Sequence, residues 1–396
     1  MKVFGGEVGW HLPGRSSARD LELEHLEAAR ESMEAWRYSP IDDLDLAAFG
    51  NVAEEPGEEA VSAALARLSR LGGAEAIVVI GAGRVIRAEP AGWLAVDEVF
   101  APGELLRQEE EPFLSLATLL APARVEIKVA GGDGPRRVGI VLLDGGDGSA
   151  SHSWFRVLCE GDTTVMLLAE ANGASLGMAA MEFEVATASR AQLRYYVNSS
   201  VKSKSFGHLR YRVHQDAAFD VVEVASGTGY SRLRTDGYLV GAGATTTIRS
   251  AYVAGAAETA EFRTFIWHDA PRTTSDLLYK GAACSDGASI YSGLITISPD
   301  GSGSEAFQTN RNLILSPEAR AESVPNLEIK TSDVRCSHAS TVGPIEDELL
   351  FYLQSKGIGR DAATRALARA FFAGMHELSE VEYVEIASAL DEKWAQ

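Results

Sequence analysis

From about residue 121 to about residue 343 the chain reads as one short strand after another, with no helix to interrupt them. Met181-Glu-Phe-Glu-Val185, Leu209-Arg-Tyr-Arg-Val213 and Phe219-Asp-Val-Val-Glu-Val224 carry the period-two or β-branched pattern of strands. Gly, Ser, Asp and Asn between such segments mark turns. Strand centres recur roughly every 10 to 15 residues, too many for one small sandwich and without the helices of a doubly wound sheet. Two architectures satisfy this pattern: a large sandwich or barrel, and a parallel β-helix in which each coil stacks on the one before. Short strands, small-residue turns such as Gly241-Ala-Gly243 and a two-strand coil of about 20 to 30 residues favour the β-helix.

The flanks have a different character, which divides the chain into 1–120, 121–343 and 344–396. In the acidic first region, Leu26, Ala29, Met33 and Trp36 form one face of an amphipathic helix ending near Ser39-Pro40. Ile77-Val-Val-Ile80 followed by Gly81-Ala-Gly83 resembles the start of a phosphate-binding turn, but Ile86 stands where the third small residue belongs. A β-hairpin is the better reading. In the tail, Pro344, the acidic Glu346, Asp347 and Glu348, and the closing Lys356-Gly357 bound a first helix. A second runs from about Arg360 to Met375 with Ala363, Leu367, Ala370, Phe371 and Gly374 at helical spacing, and a third carries Val381, Val384, Ile386 and Leu390. These helices would form either a cap on the open end of the coils or a docking surface.

Charge and cysteine content exclude several functions. With 36 basic against 56 acidic residues the formal net charge is −20, so nucleic acid and anionic membrane surfaces are unsuited partners. No apolar run reaches the roughly 18 to 20 residues that span a bilayer, and Met1-Lys-Val-Phe-Gly-Gly-Glu lacks the apolar centre of a secretory signal. Three cysteines without a CxxC provide neither a disulfide framework nor a zinc site, and a cytoplasmic location is expected.

Familiar catalytic motifs such as HExxH, a Walker loop and an EF-hand are missing, and no carboxylate pair is marked by spacing. His152 between two serines reads as a turn residue, and His208, His214 and His268 as single core or surface histidines. The segment Asp333-Val-Arg-Cys336-Ser-His338 differs. On a strand, Cys336 and His338 share a face about 7 Å apart, and thiol and imidazole are both iron ligands. An iron-sulfur cluster takes about four ligands, so a second chain would have to complete such a site. On the residues alone, a buried cysteine beside a turn-capping histidine is the simpler reading.

Three stretches add a resemblance: Ser304-Glu-Ala-Phe-Gln-Thr-Asn-Arg-Asn-Leu313, the segment from Leu315 to Ile329, and Asp333-Val-Arg-Cys-Ser-His-Ala-Ser-Thr-Val-Gly343. Together with Leu350-Phe-Tyr-Leu353 and Ser355-Lys-Gly-Ile358 they resemble the SufB/SufD family of iron-sulfur cluster assembly; upstream, Glu34-Ala-Trp-Arg-Tyr-Ser-Pro40 looks like a SufD segment. The chain is more similar to the SufD branch, because Ala319 stands where SufB has its scaffold cysteine, and Ser337 and Ala339 where SufB has glutamates. The resemblance implies a mainly β fold: a right-handed parallel β-helix core with an N-terminal α/β region and a C-terminal helical region. It implies a non-catalytic subunit of a SufB-SufC-SufD complex. His338, with Cys336 beside it, would face SufB across an interface made by sheet pairing over about 325–343, where a transient iron-sulfur cluster forms. The C-terminal helices, with Leu350, Phe351, Tyr352, Leu367 and Phe371, would dock the ATPase SufC. The isolated chain would hold no cofactor tightly and could pair with itself; a reduced flavin belongs to the family's complex, but no residue here marks a site for it. Two other readings stand beside this one: a β-helix enzyme acting on polysaccharide, and a purely architectural SufD whose histidine touches no metal.

Overall fold

The computed structural model describes residues 39, 49, 51–52, 54–89, 91–99, 112–171, 173–227 and 229–394. The helix expected over Leu26–Trp36 and the segment from Glu34 to Pro40, Ser39 apart, lie outside these residues.

The chain is a β-solenoid of two ten-stranded sheets, and from Arg124 onward successive strands alternate between them. One sheet contains β1 (Asn51–Val52), β4 (Leu94–Val99), β5 (Arg124–Val129), β7 (Ser149–Cys159), β9 (Leu176–Val185), β11 (Lys204–Val213), β13 (Tyr230–Leu239), β15 (Thr259–His268), β17 (Ala288–Ile297) and β19 (Arg320–Ile329). The other contains β2 (Ala76–Gly81), β3 (Arg84–Glu89), β6 (Arg136–Asp144), β8 (Asp162–Ala171), β10 (Arg190–Ser199), β12 (Ala218–Ser226), β14 (Thr245–Ala254), β16 (Thr274–Ala283), β18 (Ser304–Ile314) and β20 (Val334–Gly343). From β5 and β6 onward every pair is parallel and skips one strand, so each coil is two strands long. The register steps from 26 residues (Ala150↔Leu176) to 32 (Ala288↔Arg320). Coil stacking therefore replaces the sandwich or barrel that the strand pattern also allowed.

Alternation along each strand builds the core. Leu209, Tyr211 and Val213 of β11 face Phe219 and Val221 of β12 inside the coils, in one continuous interior cluster. One corner repeats a single turn geometry: Gly161, Ala188, Asp216, Gly243, Arg272 and Gly303 all have positive φ. Successive turns are hydrogen-bonded, as from Asp216 N to Ala242 O (3.0 Å) and from Gly243 N to Pro271 O (3.1 Å). The side-chain-bearing members adopt a conformation that normally favours glycine, because the stack above and below fixes it.

The hairpin expected after Ile80 is present. β2 and β3 pair antiparallel through Ala82 and Gly83, whose φ values of 50° and 75° carry the positive sign that tight hairpin turns require.

Helices cover the outer faces. α1 (Glu58–Arg70) has Glu58 and Glu59 in its first turn and Arg67 and Arg70 in its last, matching the helix dipole. It lays Val61, Ala64 and Leu68 on the outer face of the second sheet. α2 (Pro112–Leu120) covers Trp154, Met178 and Phe206 on the other sheet, with the Phe113 and Phe206 rings stacked at 3.8 Å.

The tail forms α3 (Asp347–Ser355), α4 (Arg360–Ala373) and α5 (Glu380–Trp394). Gly357 (φ 86°) closes α3, its N–H donating to Gln354 O while Ile358 N donates to Leu353 O. These helices do not cap the coil end. α5 lies along β12 and β14, and its Ile386 and Leu390 join Ala251 and Val253 of the outer sheet face. Arg67 bridges Glu170 (2.9 Å) and Glu385 (2.7 Å), tying α1, the sheet and α5 together. The open end is left to β19 and β20.

Two helical faces differ from the expected ones. In α4 the buried residues are Ala363, Ala368 and Phe372, with Leu367 and Phe371 half-buried and Ala370 exposed. In α5, Val381 and Val384 are exposed while Glu382 and Lys393 are buried. Charged partners on the solenoid explain the second case: Glu382 accepts from Arg194 (2.9 Å) and Tyr196 (2.9 Å), and Lys393 pairs with Glu258 (2.5 Å).

Candidate functional site

β20 ends the second sheet and is paired on one side only, to β18. The register sets Cys336 beside Ala306, His338 beside Gln308 and Ser340 beside Asn310. Val334 and Cys336 pack on the interior cluster, so strand alternation turns His338 and Ser340 to the same inner side. There the solenoid is open. Ser340 Oγ and Ser323 Oγ, from the ends of the two sheets, meet at 2.8 Å across the mouth. His338 is exposed and Cys336 half-buried.

Cys336 differs from the other two cysteines. Cys159 and Cys284 are buried, and burial pushes their thiols up to about 12 and about 11, so they remain protonated and out of reach. The mouth thus carries one accessible thiol and one accessible imidazole. Among the described residues, no group of three or more His, Cys, Asp or Glu side chains is placed to hold a metal ion. One chain offers two donors there.

Four other histidines among the described residues, His152, His208, His214 and His268, are accounted for locally. Ser151 donates to Asp144 inside the coil, whereas His152, next along the same strand, points to the opposite face, so no catalytic dyad forms. Burial lowers His152 and His268 to about 4, and His268 is held by Thr273 (2.8 Å) and Ser275 (2.9 Å). His208 meets Asp236 at 2.9 Å, and His214 meets Glu184.

The helical residues singled out as a docking surface separate into two groups. Leu350 turns inward beside Ile345, and Leu367 and Phe371 lean on the same cluster. Lys280 Nζ donates to Phe371 O at 2.7 Å and lies 4.9 Å from its ring centre. Phe351 (73% exposed) and Tyr352 (59%) face outward with Leu349, forming an apolar patch on α3.

Several buried charged groups were not anticipated, Glu223 among them. Glu223 lies fully inside the coils, since the alternation that places Phe219 and Val221 inward places Glu223 there too. That spacing was the available signal.

Comparison with known proteins gives a consistent result. The family described as SUF system FeS cluster assembly, SufBD core domain, matches residues 143–371, more than half of the chain. An iron-sulfur cluster assembly SufBD family protein of Mycobacterium tuberculosis is 32% identical over 243 residues, covering 59% of this chain and 61% of the relative. The chain thus spans about three fifths of that relative's length. A SufBD family protein of Mycobacterium leprae is 37% identical over 166 residues, 40% of this chain and 42% of the relative. The iron-sulfur cluster assembly protein SufD of Escherichia coli is 26% identical over 361 residues, covering 87% of this chain and 84% of that protein.

Proposed function

This chain belongs to the SufBD family of iron-sulfur cluster assembly proteins, and on that footing we propose that it is a SufD-like subunit, non-catalytic by itself, which completes a cluster-building site only with a SufB-like partner. The observation that carries the reading is the exposed imidazole of His338, beside the half-buried thiol of Cys336, on a terminal strand with one free edge. An unpaired edge recruits another strand through its free N–H and C=O groups. Pairing there would bring a second chain's ligands to His338 and supply the donors that this chain lacks. The iron-sulfur cluster is cargo at that seam, not a resident group.

The exposed Phe351 and Tyr352 support a docking role for α3 toward a SufC-like ATPase, whose movement would reach the seam through the helices packed on the second sheet. Regions 1–120, 121–343 and 344–396 would then act as an N-terminal extension, the seam-bearing core and the ATPase dock, in a cytoplasmic complex. The polysaccharide-enzyme reading has no support in the family match.

The test is co-expression with SufB-like and SufC-like proteins, anaerobic reconstitution, and an absorption spectrum of the purified assembly. His338→Ala is expected to leave the complex assembled and to lower its cluster content severalfold. Full loading in an intact complex would reduce this subunit to architecture. Phe351→Ser with Tyr352→Ser should release the ATPase and spare the SufB-like partner; retention of the ATPase would remove α3 from the docking surface.

A further inference from the structure

The solenoid interior is not uniformly apolar. Along the second sheet, register places Tyr195, Glu223, Ser250, Tyr279, Asn310 and Ser340 in one inward row that ends at the open mouth. At about 4.8 Å per strand step, Glu223 stands about 19 Å from Ser340. Thr235 and Thr264 face this row from the other sheet, and Thr264 donates to the Tyr279 hydroxyl at 2.8 Å.

Several buried polar atoms along this line lack a well-placed partner. Both Glu223 carboxyl oxygens, Ser250 Oγ, the Tyr291 hydroxyl and both amide atoms of Gln308 are buried without a hydrogen bond of good geometry, although the Ser250 and Thr235 hydroxyls lie near enough to act on the carboxyl and Thr264 near enough to act on Tyr291. Buried polar atoms are almost always paired, and where protein does not pair them, ordered water does. Glycine at 293 lets two of these side chains come close to the backbone: a Cβ there would fall 2.3 Å from Gln308 Nε2 and 2.8 Å from the Tyr291 hydroxyl.

We propose that this seam is a hydrated proton path joining the Glu223 carboxyl to the open end of the solenoid. The carboxyl O–H bond breaks, the proton passes along hydroxyl and water oxygens, and it ends on solvent at the Ser340–Ser323 mouth; no electron moves, and the return step is the reverse. The groups facing Glu223 are Tyr195, Tyr211, Tyr252, Tyr279 and Tyr291, with no cation among them, and Asp144 acts only on Tyr195. Burial, partly offset by the Ser250 and Thr235 hydroxyls, raises the carboxyl to about 8, so it carries its proton at neutral pH. Burial raises the tyrosines as well, which keeps them neutral as relay groups. The path depends on no assignment of partner or metal.

The test is infrared spectroscopy of the full chain. A protonated-carboxyl band is expected at pH 7, lost in Glu223→Gln, or shifted in Glu223→Asp should the glutamine variant not fold. On transfer to heavy water the band should deuterate promptly in the natural protein. Gln308→Leu, which removes two polar atoms of the seam, and Ser340→Trp, which covers the mouth from an exposed position, should each slow deuteration about tenfold or more. Position 340 is exposed, so the tryptophan variant decides the matter if Gln308→Leu misfolds. The absence of such a band at pH 7, or equal deuteration rates with and without the mouth covered, overturns the proposal.

Discussion

Replacing Glu223 with glutamine should make the protein more stable with rising pH relative to the natural chain. In the folded state the carboxyl holds its proton up to about 8, while in the unfolded chain it releases it near the ordinary 4.5. Below 4.5 both states are protonated and the residue contributes no pH dependence. Between 4.5 and 8 the folded state binds more protons than the unfolded state, so stability falls as pH rises, by up to about 1.4 kcal/mol per pH unit. Across the whole window the loss approaches about 5 kcal/mol, a third or more of what holds an ordinary domain together. Glutamine has the same shape and no proton to lose. Urea unfolding at pH 5, 6, 7 and 8 should therefore find the variant close to the natural protein at the acid end and ahead of it by several kcal/mol at the basic end. Asp144, raised to about 6, is present in both proteins and cancels in the difference. A difference that stays flat, or that favours the natural chain as pH rises, would mean that the carboxylate is ionised inside the coils and balanced by a cation, and the reasoning would fail.

Two further outcomes test the packing and the site. Leu390→Ala, at a fully buried position where α5 meets the sheet, should lower stability by about 2 to 5 kcal/mol in denaturant titration; a loss below about 1 kcal/mol would mean that α5 is not docked. A thiol reagent under native conditions should label Cys336 alone, with Cys159 and Cys284 reacting only after unfolding; rapid labelling of all three would contradict the closed core.

The repeated coil was legible because its cause is local: period-two strands and small-residue turns follow one another whatever surrounds them. The hairpin at Ala82-Gly83 and the helix stop at Gly357 were legible for the same reason, each being decided by a few neighbouring residues. What escaped depends on partners distant in sequence. Val384 has the spacing of a buried residue, but Arg194 and Glu258 on the solenoid claim Glu382 and Lys393 and rotate α5 about its axis. Leu350 and Phe351 are equally apolar, and only docking on the outer sheet face decides that one turns in and the other out. At the mouth, Cys336 and His338 could be placed on one face of a strand, but the strand's position as the last of its sheet comes from the whole stack.

The stacked left-handed turns have a mechanical consequence. Each coil is held by the coils on either side, so the body behaves like a zipper whose resistance to opening is set link by link. Helices buttress the outer face over β12 and β14, whereas β19 and β20 have a neighbour on one side only. Like β3 and β4 at the opposite end, these strands form a rim from which fraying can start, and whatever binds the rim bearing the imidazole also latches the zipper shut at that end.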